Sequence, residues 1–254
     1  MLHRAALYGI DHTTYGAAHH ASAGPQIAVA ISAGADAESP AGRFKADPRY
    51  PNEDALVALD DGDRCLLAVA DSHFGHHASH VLIAGLARLA AIPSEPSALA
   101  AALDGIDGDR GDDDHSASTL CVVIYERAVG RGFGLSIGDS TFAVVGPDRL
   151  PVARNRHSRA YVHPGREPRI SRRAEAFRFA ARAGDLLLAF TDGIDECHYR
   201  RPETSLRPEH LRAIFTEAGP DPTRYARRLV QQALAGVDGH PGGQDNIALV
   251  VARG

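Results

Sequence analysis

A chain of 254 residues with 44% hydrophobic and 23% charged residues is long enough to bury a sizeable core and has the composition of a globular protein. Its formal net charge of −5 and its scattered basic residues exclude recognition of nucleic acid or of an anionic membrane by bulk electrostatics. Three cysteines, at 65, 121 and 197, are odd in number and far apart, which fits core thiols in a reducing compartment and not a disulfide framework.

Residues 1–24 are rich in Ala, His and Gly, have weak periodicity, and lack the basic-then-apolar order of a secretory signal. They are expected to form an irregular arm or an added edge segment, with 25–254 as a single domain. Residues 27–31 read as a short apolar strand, followed by a Gly/Pro/Ala-rich loop to 51. The runs 55–59 and 65–70, joined by Asp60-Asp61-Gly62-Asp63, read as a hairpin. Apolar residues at 81, 82, 86 and 89 fit a helix over 77–91, with Pro93 as a stop, and a shorter Ala-rich helix covers 97–103. An acidic loop at 104–114 precedes three strand-like runs, 119–125, 132–137 and 141–145. Residues 146–176 are polar and rich in Arg and Pro, and read as a long surface excursion. A fully apolar strand at 186–190 leads to two helices. The first covers 208–218, and the second opens on the cap and first-turn pair Asp221-Pro222 and closes near Gly236. Residues 247–251 form the last strand. Strands and helices do not alternate one for one, which argues against a doubly wound parallel sheet and for an α+β sandwich. No run approaches the roughly 20 apolar residues of a membrane span, so the expected location is cytoplasmic.

Acidic residues recur at the ends of the apolar runs: Glu53 and Asp54 before 55–59, Asp71 after 65–70, Asp139 after 135–138, Asp192 after 186–190 and Asp245 before 247–251. A carboxylate at the mouth of a buried strand is costly unless paired or coordinated. A single one is an ordinary strand end or Asx turn; five such places in one chain point to a convergent cluster. Carboxylates without Cys or His at ligand spacing favour Mg²⁺ or Mn²⁺ over zinc.

These residues also sit in motifs. Arg49-Tyr-Pro-Asn-Glu53-Asp54, Asp71-Ser-His73-Phe-Gly75, Ser118-Thr119, Gly138-Asp139-Ser140, Thr191-Asp192-Gly193 and Gly243-Gln-Asp245-Asn246 follow one another in an order and approximate spacing that resemble the metal-dependent type 2C serine/threonine protein phosphatases. The resemblance runs from about residue 27 to the C-terminus. It implies a four-layer α-β-β-α sandwich, two antiparallel sheets flanked by helices, with two or three Mg²⁺ or Mn²⁺ ions at one end. By position it implies Asp71 as the bridging ligand, Asp192 and Asp245 on the first ion, and the Ser72 carbonyl on the second. It implies Asp54 and Glu53 acting directly or through water, and Asp139 at a third, weaker site. Arg49 would clamp the substrate phosphate with its planar fork, and His73 would protonate the leaving alkoxide. The implied reaction is attack of a metal-bridging hydroxide on a phosphoserine or phosphothreonine of a protein partner, by a monomer. The alternatives are hydrolysis of a small phosphoester and a non-catalytic phosphatase-like module that binds or regulates a phosphorylated partner. Ser72 and Phe74 stand where the family motif has glycines, Thr141 stands where an Arg often follows, and the span from 71 to 118 is short for the family's helical pair, which predicts thin cover over one sheet face.

Three other signals carry less. Gly134-Leu-Ser136-Ile-Gly138 fits the serine-hydrolase elbow, but a strand-like run follows where that elbow needs a helix. No register of the acidic loop 104–114 satisfies a calcium-binding EF-hand. His73, His76, His77 and His80 are clustered, and His76 with His80 could share one helical face, but no Cys lies nearby and the segment has no third spaced zinc ligand beyond this cluster.

Overall fold

Two apolar runs hinged on an Asp-rich turn start the fold. In the computed structural model, which describes residues 1–39, 41–107, 115–163 and 169–254, β1 (His3–Tyr8) and β2 (Ala18–Ser22) come first, and β3 (Ile27–Ser32) pairs with β2. The hairpin follows as β4 (Asp54–Asp60) and β5 (Arg64–His73). Its turn is closed by its own acids: Asp60 Oδ1 accepts the Gly62 N–H at 2.9 Å and Asp61 Oδ1 accepts those of Asp63 and Arg64, while Gly62 takes φ 99°. All seven residues of β4 are buried, because this sheet is covered on both faces.

β5 runs on past Ala70 to His73, pairing with the two-residue β6 (Ala117–Ser118) and with β7 (Leu120–Glu126). β8 (Arg131–Ile137) and β11 (Glu175–Ala180) complete a sheet of order β1-β4-β5-β7-β8-β11, with β6 beside β5. The second sheet is β10-β9-β12-β13-β3-β2, built from β9 (Thr141–Gly146), β10 (Arg149–Ala153), β12 (Leu186–Phe190) and β13 (Ile247–Arg253). Every pairing is antiparallel. The two sheets share one core that includes Val29, Leu67, Val123, Phe142, Leu187 and Val250.

α1 (His77–Ala87) and α2 (Pro96–Asp107) cover the outer face of the first sheet. Leu82, Ile83 and Leu86 of α1 are fully buried there, each worth about 2 kcal/mol by area removed from water. The expected thin cover is thus corrected: both helices of the pair are present, the second longer than its Ala-rich segment suggests. A single turn, α3 (Ile170–Arg173), is fixed to α2 by Asp104, which accepts from Ser171 N and Ser171 Oγ at 2.9 and 2.6 Å. On the other side, α4 (Pro208–Ala218) and α5 (Pro222–Ala235) cover the second sheet. α5 begins where its cap demands, with Asp221 Oδ1 accepting from Thr223 N and Arg224 N, and ends at Gly236, φ 85°. The expected four-layer architecture is the observed one.

One further expectation is corrected. Residues 146–176 are not only a surface excursion: β10 joins the second sheet, buried Asn155 bonds Ser136, Ser140 and Phe142, and Val162 bridges to Ser118. Residues 1–24, expected as an irregular arm or an added edge segment, supply an edge strand to each sheet. The three cysteines are free and buried. Ser136 lies inside β8, and most of the acidic loop at 104–114 falls outside the described residues. Among the described residues no helix is long and apolar enough to cross a membrane.

Candidate active site

The hairpin register sets Asp54 directly opposite Asp71, so one end of the sandwich begins with two facing carboxylates. Asp71 is locked by Ser118 of β6 and by Thr119, which joins β6 to β7: its N–H donates to Thr119 Oγ1 at 3.1 Å, and its carbonyl accepts from Thr119 N at 2.8 Å and Ser118 Oγ at 3.0 Å. Thr191, at the end of β12, donates to Asp54 Oδ2 at 2.7 Å while accepting from Ala248 N, which ties the two sheets together beneath the site. Asp192 is the next residue. Gly193 lets the chain pass, since a Cβ there would run into the Asn246 carbonyl. Asp139 sits in the β8–β9 turn, behind Gly138 at φ 95°, where a Cβ would meet Thr119 at 2.6 Å.

Carboxylate oxygens of Asp71, Asp139 and Asp192 lie within 4.8 Å of one another, the one such metal-competent group among the described residues. Burial, and then the mutual repulsion of neighbouring acids, pushes Asp71 and Asp192 well above the ordinary carboxylate range. Burial likewise raises Asp54 to about 7 against the pull of Lys45 and Thr191. Asp54 Oδ1 and Asp139 Oδ1 are buried without a hydrogen-bond partner. Clustered acids with orphaned oxygens and no sulfur or imidazole donor among them fit hard divalent cations.

Asp245 and Glu53 form a second half of the site, and here a basic group has entered. Lys45 Nζ lies 3.0 Å from Asp245 Oδ1 and 3.6 Å from Glu53 Oε2, with its side chain only 8% exposed. Burial works against its charge, but Asp245, Asp71, Glu53 and Asp54 together raise its pKa. Glu53 also braces the loop: its Oε1 accepts from Gly75 N at 2.8 Å, and its own N–H donates to Asn246 Oδ1 at 2.9 Å. Asn246 in turn donates to the Ala33 carbonyl.

His73, Glu53, Asp139, Asp192 and Asp245 line one cleft of about 420 Å³, together with Lys45, Phe74, Tyr161 and Arg200. His73 Nδ1 stands 3.8 Å from Asp71 Oδ1, with its ring edge-on to Tyr161. Arg49 is not brought in: its side chain is 81% exposed and its Nη2 donates to Asp47 at 2.7 Å. Ser72 is accommodated without strain, in extended strand, its Oγ accepting the Ser79 N–H at 2.8 Å. The left-handed turn falls instead on Phe74, φ 63°, and Gly75, φ 116°. A larger cavity of about 540 Å³ lies at the opposite end, where Arg127 grips Asp60 and, among the described residues, no group of three metal-competent side chains converges.

Beside the cleft, sharing Asp139 and Asp192, is a recess of about 310 Å³ that contains Asp195 and His157. Thr141 donates to Asp195 Oδ2 at 3.1 Å and shares a 2.8 Å hydrogen bond with His157 Nε2. Burial lifts Asp195 to about 7. His76 and His80, at the start of α1, meet at a tilt and stand edge-on to Tyr50 and Tyr8 respectively, and burial lowers His80 to about 3.

The family model of stage II sporulation protein E (SpoIIE) matches residues 53–254, from Glu53 of this site to the C-terminus. The chain belongs to the SpoIIE family. Among solved structures, this SpoIIE-family chain is similar to the Mycobacterium tuberculosis serine/threonine phosphatase PstP/Ppp, with a TM-score of 0.65 and 21% identity over 93% of this chain and 98% of that one. The catalytic domain of PstP in complex with two manganese ions gives 0.63 and 21% over 100% and 99%. PppA of Pseudomonas aeruginosa, a regulatory component of T6SS, gives 0.62 and 24% over 94% and 98%. Comparison with curated proteins finds no match. The fold of this SpoIIE-family member is therefore that of the type 2C phosphatases, as its motifs implied.

Sequence reasoning passed over Lys45, Thr191 and Asn246 as contributors. Thr191 and Asn246 lie inside motifs already read for their aspartates. Lys45 had a signal of its own, because it is the only lysine in the chain, against 26 arginines.

Proposed function

We propose that this protein is a metal-dependent phosphatase acting on phosphoserine or phosphothreonine of a protein substrate. The observation that carries the reading is the convergence of Asp71, Asp139 and Asp192 within 4.8 Å at the head of an open cleft. In this reading Asp71, Asp192, Asp245, the Ser72 carbonyl and Glu53 or Asp54 would hold two ions, and Asp139 would serve a third. Mg²⁺ or Mn²⁺ bound there supplies Lewis-acid neutralisation of phosphoryl charge and a lowered pKa for water. The chain's own residues do the rest. His73, on the cleft wall beside Asp71, is suited to protonate the departing serine or threonine oxygen. Arg200 on the cleft wall offers a positive charge for the phosphate. The clamp role of Arg49 requires its guanidinium to leave Asp47, and exposed pairs of this kind hold weakly.

The outward Arg49 and the Phe74 side chain in the cleft favour a second reading, a phosphatase-like module that binds a phosphorylated partner without turnover. Hydrolysis of a phosphothreonine peptide with Mn²⁺ or Mg²⁺, with EDTA as control, separates the two. Cation-dependent phosphate release that Asp192→Asn lowers by at least about a hundredfold supports the enzyme. Bound metal with no turnover under either cation supports the binding module, and a fully active Asp192→Asn removes Asp192 from the ligand set.

A further inference from the structure

A chain that meets its need for positive charge with 26 arginines places its one lysine inside the acidic cleft. The choice has a physical sense. Arginine carries a broad planar fork, whereas an ammonium is a compact point charge of a size to sit between carboxylates. Lys45 follows the short 3-10 turn Gly42–Phe44, which directs its chain inward, and its Nζ contacts Asp245 at 3.0 Å and Glu53 at 3.6 Å. The carboxylates of the site thus fall into two sets. Asp71, Asp139 and Asp192 converge on one another, while Asp245 and Glu53 converge on Lys45.

We propose that the Lys45 ammonium is a tethered cation that competes with a divalent ion for Asp245 and Glu53, so that the Asp71–Asp139–Asp192 position fills first and the second position fills only when Lys45 is displaced. This rests on reading the cluster as a divalent-metal site, and it makes full occupancy of that site a function of cation concentration. Ammonium and ion cannot share Asp245 Oδ1 at close range, because like charges held in one oxygen cage repel strongly where water is scarce.

The test is a Mn²⁺ titration of the wild-type protein, Lys45→Met and Lys45→Gln, followed by calorimetry and by the electron paramagnetic resonance signal of free Mn²⁺. The wild-type protein is expected to show one tight and one weaker class of sites. In both variants the weaker class should tighten by about tenfold or more, with the tight class unmoved. Identical isotherms for the three proteins overturn the role of Lys45 and leave the metal reading standing; no Mn²⁺ bound by any of them overturns both. A second measurement needs no variant. With a single lysine, acetylation by an amine-reactive ester, located by peptide mass spectrometry so that the N-terminal amine is counted apart, reports on Lys45. Its modification should quicken severalfold at the Mn²⁺ concentrations that fill the weaker class, and a rate indifferent to Mn²⁺ overturns the proposal.

Discussion

Phe74 occupies a left-handed conformation that costs a side-chain-bearing residue about 1–2 kcal/mol, at a place where the family motif has glycine. It is also 73% exposed, so its removal forfeits little packing. Phe74→Gly is therefore expected to raise stability by about 1 kcal/mol in urea denaturation and to open the cleft. Asp195 makes a pH prediction. Its folded pKa of about 7 lies above the ordinary 3.8, so between those values the folded state holds a proton that the unfolded state has lost. Its contribution thus turns unfavourable as pH rises through that window. Asp195→Asn keeps an acceptor for Thr141 and cannot ionise. Its stability relative to wild type should be near zero change at pH 4 and grow to a plateau above pH 7, with a ceiling of about 4 kcal/mol. Thermal melts in EDTA across that range check it; a difference independent of pH would be the contrary result. At this scale the aspartates were legible because each ends an apolar run. The exposure of Arg49 was not: a motif fixes a residue's place in sequence, while the side chain chooses between Asp47 and the cleft by local contacts.

The elements that hold the site were read most accurately where their ends carry their own chemistry. α5 runs from the Asp221 cap to the Gly236 stop as its sequence requires, and Asp221→Ala should cost about 1 kcal/mol of stability by removing the acceptor of two backbone N–H groups. β11 escaped because it lies next to an Arg-rich stretch, although Phe177 and Phe179 alternate with exposed residues as an edge strand should. β10 escaped for a different reason: it joins β9 with a register shift and little apolar alternation to announce it. The β12–α4 connection is more demanding than its sequence shows. Gly193→Ala would press a methyl group into the Asn246 carbonyl, and is expected to cost more than about 3 kcal/mol or to displace Asp192. Metal binding by that variant, measured beside its circular dichroism, distinguishes the two.

Across the whole molecule, the α+β sandwich was legible from the order of apolar runs and from helices falling in two groups, since each sheet face needs a cover. The assignment of residues 1–24 to both sheets was not, because an edge strand with half-buried Ala and His has almost no signature before its partner is known. Acids buried together at one end oppose folding unless countered, so Mn²⁺ should raise the melting temperature, by the equivalent of about 2.7 kcal/mol at a hundred times its dissociation constant. Asp71→Asn should abolish most of that shift. β13 lies in the interior of its sheet, between β12 and β3, and follows closely on Asp245. A nascent chain emerging from the ribosome therefore carries two half-sheets with a gap between them until residues 245–253 are free to enter. The first sheet can assemble during synthesis, but the cleft is incomplete until Asp245 takes its place on the wall.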